Sequence, residues 1–502
     1  MSLDQAFAAS PLVVLALAGV ACLLAISFAK RKAEAAFAVC AIGMAAAIAS
    51  SIALSLPRMP LRIEGLLSMD GLSFIGTAII LASGLAIALA SRPYLARREG
   101  ERGEYYALLL FATLGASVLA ASSSLATLFL GLELLSVSLY ALVAYRREGA
   151  EGTKAAFTYL ILASVASAFL LFGMALAYFQ TGSLELSRAT QAAADGSGGP
   201  LIIAAFAMMG VGFAFKLAVA PFHMWAPEVY EGSTAPVAAL IATVSKAAMA
   251  IPLVRILAPR ILAAASGGAA SSILWIVAAL SGVSMIAGNL LALREDRVKR
   301  MLAGSSIAQI GYILVALIAG GDYGTSSALF YLAAYSLSTL GAFACVAALS
   351  PARSDSSGRA DARREDFRGL YLRRPLVSAV MTASLLSLAG MPLTAGFIGK
   401  FMIFAAGVRI GNATRILAVL LALNSAVSLF YYLRLVSLIY RRPETEREGA
   451  VGTPKEFGGA AVAMPKGSFL AGVALALIGL SILLLGTAPG PALSFIAALA
   501  VR

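Results

Sequence analysis

The chain is a succession of long apolar runs separated by short polar stretches. Crossing a bilayer takes about 20 apolar residues. Fourteen runs qualify: 10–29, 34–56, 69–91, 104–122, 124–145, 154–179, 200–230, 235–257, 271–292, 301–320, 325–349, 375–408, 412–440 and 467–487. They are continuous and do not alternate, which excludes a barrel of short amphipathic strands. Runs seven, twelve and thirteen exceed one plain crossing, so they are expected to bend, tilt or overhang the bilayer. A last apolar stretch, 491–501, reads as an interfacial helix. The pattern predicts an all-α polytopic membrane protein with about fourteen transmembrane helices.

Composition agrees. Of 502 residues, 60% are hydrophobic and 13% charged, about half the charged share of a soluble domain. Mean hydropathy is +0.90. A soluble enzyme, a secreted disulfide scaffold and a disordered chain are excluded. Cys22, Cys40 and Cys345 lie in apolar runs without CxxC spacing and read as small buried hydrophobes. His223 is the only histidine, which argues against a histidine-based zinc or haem site.

The net charge of +13 could suggest nucleic acid, but its distribution points to topology. Of 38 Lys and Arg, 26 belong to odd-numbered loops and 7 to even-numbered ones when Lys154, Arg255 and Arg415, at run ends, go with the adjoining loops; Lys216, Lys246, Lys400 and Arg434 lie deeper inside runs, and Arg502 is terminal. This bias predicts cytoplasmic odd loops and, in a bacterium, both termini in the periplasm. Met1–Ser10 carries no Lys or Arg, so it can cross, and it lacks the basic start of a cleavable signal. The charged stretches 350–374 and 441–466 read as solvated cytoplasmic connectors, not nucleic-acid patches. No linker separates domains, so 1–502 is read as one membrane domain.

Ionisable residues inside the runs carry the candidate chemistry. Glu133 is the only acid in the middle of a long run. Lys216, Lys246 and Lys400 are placed similarly. Each costs about 2.5–3.5 kcal/mol on insertion scales. A desolvated lysine can release its proton, so one acid and three lysines form a candidate row of titratable sites. In the competing structural reading, Glu133 pairs with one lysine to lock two helices and the other lysines snorkel. Arg434, near a run's end, reads as an interface anchor.

Two runs are interrupted, at Pro221 in Lys216–Pro227 and at Pro392, flanked by Gly390 and Gly396, in Leu388–Lys400. Backbone groups freed at mid-membrane survive only when buried or lining a wet cavity. Corresponding interruptions in two halves of a chain point to inverted repeats. Spans four to eight and nine to thirteen are then two five-helix halves with broken helices seven and twelve. The divisions are 1–103 (helices one to three), 104–257, 271–440 and 467–502.

Polar side chains beside these sites could hold water chains or bond their own backbones. They are Ser136 and Tyr140 on the face of Glu133, Thr243 near Lys246, and Ser305, Gln309 and Tyr312 along run ten. Tyr331, Tyr335, Thr394 and Asn424 are further candidates. His223 suits a proton relay or a fixed hydrogen bonder equally. No GxxxxGK[ST], no GxGxxG after a strand and no cysteine cluster is present, so no cofactor is expected in this chain. The energy must come from an ion gradient or a partner.

At these residues a resemblance emerges. Phe213–Pro236, with Asn289–Arg294, Lys299–Tyr312 and Leu385–Lys400, resembles the core signature of the antiporter-like subunits of respiratory complex I, its N-type branch above all. The likeness runs from about residue 70 to 440. It implies a fourteen-helix fold with inverted five-helix repeats in the inner (plasma) membrane. It also implies proton translocation coupled to quinone reduction in other subunits of an NADH:quinone oxidoreductase. Implied neighbours are the antiporter-like subunit M and the small subunit K. Carried over, Glu133, Lys216, Lys246 and Lys400 are the glutamate of span five and the lysines of spans seven, eight and twelve. One departure is Gln309, where members commonly have histidine; glutamine cannot titrate. Related subunits also serve multi-subunit cation/proton antiporters and membrane-bound hydrogenase-type pumps, and a structural spacer with a dead channel is a further reading.

Overall fold

The computed structural model describes residues 3–96, 103–145, 150–195, 197–257, 269–350, 363–410, 412–442 and 468–500. Thirteen of its helices are long and apolar enough to cross a membrane. In chain order the main helices are α1 (Ser10–Phe28), α2 (Lys32–Ser50), α3 (Gly71–Ala96), α4 (Glu104–Ala121), α5 (Leu125–Val143) and α6 (Ala150–Thr181). Next come α7 (Gly199–Leu217), the short α8 (Trp225–Gly232) and α9 (Ala235–Leu257). Then follow α10 (Ala269–Arg294), α11 (Val298–Ala319), α12 (Gly321–Leu349), α13 (Pro375–Ala389), α14 (Ala395–Ile410), α15 (Asn412–Ile439), α16 (Ser468–Thr487) and α17 (Gly490–Ala500). The pair α13–α14 is the interrupted twelfth run, so all fourteen expected runs have their helices.

Run thirteen does not break. It is one helix of 28 residues, about 42 Å long, longer than the roughly 30 Å hydrocarbon core. Run seven ends its long helix at Leu217 and resumes as α8. The tail is helical over Gly490–Ala500 and packs on α3 and α12, with Phe495 edge-on to Phe74. Residues 351–362 and 443–467 of the two expected connectors lie outside the described residues, as do Met1, Ser2 and Arg502. The described start of the second connector, Arg441 and Arg442, is exposed.

Burial sorts the helices. α11 is buried throughout except at Arg300 and α9 nearly so, whereas α1, α6 and α16 turn most of their surface outward. Outward faces carry large apolar side chains, including Phe157, Ile161 and Phe172 of α6, as a lipid-facing helix requires. Close approach inside the bundle depends on glycine. A side chain at Gly115 or Gly131 would strike the facing backbone of the α4–α5 pair, and one at Gly288 or Gly304 would do the same in α10–α11. The two glycine pairs have the same spacing. Small residues at such crossings let membrane helices pack backbone to backbone.

One end of the bundle is fastened by features the apolar pattern does not show. An antiparallel hairpin joins Leu61–Ile63 to Leu67–Met69, and a short amphipathic helix spans Leu186–Ala194. Arg255, near the end of α9, forms a two-pronged ion pair with Asp70 at the start of α3, with Nη2 donating to Oδ1 at 2.7 Å.

Candidate functional site

Both interrupted helices end the same way. After Leu217, Ala218 adopts a left-handed conformation (φ 57°), and Val219 N–H closes on the Ala214 carbonyl at 2.8 Å. After Ala389, Gly390 is left-handed (φ 86°), and Met391 N–H closes on the Leu386 carbonyl at 2.9 Å. This is the Schellman arrangement, which satisfies the last carbonyls of a helix. The helices therefore stop before Pro221 and Pro392. The prolines prevent resumption and do not themselves make the break.

Lys216, next to last in α7, is buried. Its Nζ donates to Ser136 Oγ of α5 at 2.8 Å and to Tyr159 OH of α6 at 3.0 Å. Glu133 lies one turn from Ser136, half-buried, and accepts from Ser167 Oγ at 2.7 Å. Among the described residues Glu133 makes no ion pair, so the helix-locking pair is not what the structure shows; Lys216 bonds Ser136, whose Oγ donates to the Leu132 carbonyl. Tyr159 stacks on Trp225 at 4.8 Å and meets Tyr140 edge-on at 5.3 Å. Trp225 Nε1 donates to the Phe215 carbonyl at 3.0 Å, adding a cap to α7.

Lys246 follows a π-helical turn, Ile241–Ser245, within α9. Such wide turns recur at functional positions. This one sets the fully buried ammonium against α11, where it donates to Ser306 Oγ and to the Ser306 carbonyl at 3.2 Å. Ser306 Oγ also meets Tyr335 OH, which donates to the Ala242 carbonyl at 2.9 Å. Tyr230 OH of α8 lies 3.5 Å from Ser306 Oγ. Through Trp225 and Tyr230, α8 therefore joins the surroundings of Lys216 to those of Lys246. Ser305 faces the other way and bonds Tyr432 of α15. Thr243 bonds the Ala239 carbonyl of its own helix, at 2.7 Å.

Lys400 of α14 turns back onto the end of α13. It donates to the carbonyls of Leu388 and Ala389 at 2.8 and 3.1 Å and to Ser425 Oγ at 3.0 Å, and its ammonium lies 5.0 Å from the Tyr312 ring centroid. Gln309 Nε2 reaches the same Leu388 carbonyl, and Tyr331 donates to Gln309 Oε1. Asn424 accepts from Asn289. His223 sits half-buried in the turn after α7, and among the described residues its Nδ1 has no partner and it hydrogen-bonds with none of the lysines. Thr394 bonds the Met391 carbonyl at 2.6 Å. Arg434 pairs with Asp296 at 3.5 Å near the end of α15.

Each of the three lysines thus donates to at least one hydroxyl. Sequence reasoning missed Ser167, Tyr159, Tyr230, Ser306, Ser425 and Tyr432. Their one signal was a polar group in an apolar run, shared with many bystanders. Among the described residues no His, Cys, Asp and Glu group could hold a metal ion.

Two discontinuous helices and buried lysines within a fourteen-run bundle define an antiporter-like membrane subunit. The chain belongs to the NADH:quinone oxidoreductase/Mrp antiporter transmembrane family, whose model matches residues 122–425. It is 40% identical over 496 residues to NADH-quinone oxidoreductase subunit N of Ectopseudomonas mendocina, covering 97% of this chain and 94% of that one. It is 39% identical over 447 residues to subunit N of Chromohalobacter salexigens, covering 88% and 90%. A chain of respiratory complex I from Thermus thermophilus with bound aureothin matches with a TM-score of 0.77 and 34% identity, covering 97% of this chain and 99% of that one. The Mrp complex of Dietzia contains the same fold, with a TM-score of 0.82 at 23% identity, over 100% of this chain and 97% of that one.

Proposed function

We propose that this chain is the N-type proton-translocating membrane subunit of an NADH-quinone oxidoreductase. Quinone reduction in other subunits drives protons through its row of buried sites. Near full-length likeness to two subunits N supports the parent complex. The observation that carries the mechanism is the set of three buried lysines, each donating to a hydroxyl, with Glu133 one turn of α5 from the Ser136 that Lys216 bonds. Glu133 stabilises positive charge at Lys216. Lys246 is the central carrier, alternately charged and neutral. Lys400 is the terminal site, releasing toward the even-loop side. Redox cofactors reside in other subunits.

Spans four to eight and nine to thirteen are two copies of one five-helix unit in inverted orientation. Matched glycine pairs and matched helix ends support that division. The odd loops face the cytoplasm and both termini the periplasm, and subunits M and K are its neighbours. The test is proton pumping by the assembled complex in sealed vesicles. Glu133→Ala should sharply lower coupled quinone reduction and pumping together. Full pumping in an assembled Glu133→Ala complex would remove the row from the mechanism, and sodium transport without quinone reduction would point to an antiporter instead.

A further inference from the structure

Two carboxamides, Gln309 of α11 and Asn289 of α10, repeat one arrangement. Gln309 Oε1 accepts from Tyr331 OH, while its Nε2 donates to the Leu388 carbonyl at 2.9 Å and to Tyr432 OH at 3.3 Å. Asn289 Oδ1 accepts from Tyr431 OH at 2.9 Å, while its Nδ2 donates to the Asn424 carbonyl and to Tyr312 OH, both at 3.2 Å, with Asn424 Oδ1 at 3.0 Å. In each case a tyrosine hydroxyl serves the amide oxygen. A backbone carbonyl and a second tyrosine hydroxyl serve the nitrogen. The backbone carbonyl can only accept, so it fixes which end of each amide is nitrogen. Both side chains are fully buried.

Their positions matter because both lead to Lys400. Gln309 lies between the Lys246 cluster and Lys400. Tyr331, its donor, is one turn of α12 from Tyr335, which bonds Ser306, the partner of Lys246. The Leu388 carbonyl, its acceptor, is also bound by Lys400. Asn289 lies between Lys400 and one surface. Tyr431, its donor, lines a small cavity with Glu295, Asp296, Arg364 and Arg434, and Tyr312, its acceptor, lies under the Lys400 ammonium.

Proton hopping requires each member of a chain to accept a proton on one side and release another on the far side. A hydroxyl, a carboxyl or an imidazole can do this. A carboxamide accepts at oxygen and would have to release from nitrogen, leaving a C(OH)=N imidic acid that must revert before the next transfer. Here the nitrogen is also held on a backbone carbonyl, which cannot pass a proton on. Each amide is hydrogen-bonded on both sides, yet neither relays a proton from the tyrosine on its oxygen to the backbone carbonyl on its nitrogen.

We propose that Gln309 and Asn289 are insulating residues. They position the tyrosines around Lys400 while preventing direct proton transfer to it from the Lys246 cluster and from the Glu295–Asp296 cavity. Transfer then waits on water entering beside the amides, which keeps the resting channel tight. The idea rests on the proton-translocating reading of the chain.

The experiment measures passive proton leak in sealed vesicles holding the assembled complex, without NADH and with quinone reduction inhibited. An imposed pH difference is followed with an enclosed pH dye. Gln309→Glu, Gln309→His and Asn289→Asp put titratable groups into the two positions. Gln309→Met and Asn289→Leu do not. Several-fold faster collapse of the gradient in the titratable variants, with the apolar ones at the wild-type rate, is the expected result. Gln309→His keeps a ring N–H for the Leu388 carbonyl and covers the case where the carboxyl variants fail to assemble. Wild-type leak rates in the assembled titratable variants would overturn the proposal. So would equal leak in the apolar variants, which would mean damaged packing. NADH-driven pumping by the wild-type complex is read separately, so failure of the proposed function is distinguishable from failure of the insulation.

Discussion

Gln309 and Lys400 donate to one carbonyl, that of Leu388, at 2.9 and 2.8 Å. The end of α13 is therefore held by a neutral group and an ammonium together. Lys400 is a structural cap as well as a candidate proton site, and the two roles separate by experiment.

Lys400→Met removes a donor from the carbonyls of Leu388 and Ala389, and Gln309 still serves the first. Ser425 Oγ still serves the second, so neither carbonyl is orphaned and the lost donor costs about 0.5–1.5 kcal/mol. The assembled complex should melt at lower temperature yet still form, and pumping should slow by more than the loss of material. Assembled complex that pumps at the wild-type rate would confine Lys400 to capping.

For Lys246 the test is charge without release. Lys246→Ala should impair pumping, and Lys246→Arg should not restore it, because arginine does not deprotonate in proteins. The larger head must also fit a fully buried site against Ser306, at about 1–3 kcal/mol of overpacking. Pumping rates normalised to assembled complex decide the matter: an active arginine variant would mean a fixed charge suffices.

Ser136 gives a finer probe than Glu133, because it bonds Lys216 directly while the acid does not. Ser136→Ala should slow coupled turnover with little loss of assembly, since Tyr159 still accepts from Lys216. Ser167→Ala should be milder still. It removes one donor to a half-buried carboxylate, about 1 kcal/mol or less. Turnover falling more in the Ser167 variant than in the Ser136 variant would reverse the assignment of the linking residue.

Asp70 and Arg255 fasten α3 to α9. Burial works to raise the Asp70 carboxyl. The Arg255 guanidinium, with hydrogen bonds from Ser73 and Ser68, more than reverses this and holds it below the usual carboxylate range. Its contribution to stability is therefore complete above the ordinary unfolded value of about 4 and is lost only as pH falls through the lower folded one. Asp70→Asn should cost about 3 kcal/mol near neutrality and flatten the acid limb of a stability–pH profile of the purified complex. An unchanged profile would show the pair to be idle.

The membrane architecture was legible because each crossing announces itself in local hydropathy. Both breaks were legible from Pro221 and Pro392, although the helices end earlier, on the left-handed residues Ala218 and Gly390. The four ionisable sites stood out as charges in apolar runs. Their partners did not, because they come from helices remote in sequence and a helix face is easily misphased. Ser305 was the expected inward residue of run ten, and Ser306, about 100° around the helix, is the one that meets Lys246. The π-turn before Lys246 shifts that phase again. The hairpin at Leu61–Met69 is too short to leave a strand pattern. Gln309 shows its connections only once its three partners, Leu388, Tyr432 and Tyr331, are in place.

The Schellman end of α13 has an electrostatic consequence. A helix terminus of this polarity presents the equivalent of about half a negative charge, and here it points at an ammonium. The counter-charge facing Lys400 is thus made of peptide dipoles, with no carboxylate among its hydrogen-bond partners. Acidification cannot neutralise it and salt in the bulk scarcely reaches it. Its strength depends on direction alone. A small rotation about Gly390 would turn the dipoles aside and weaken the lysine's hold on its charge, so bending of the chain and release of a proton become the same coordinate.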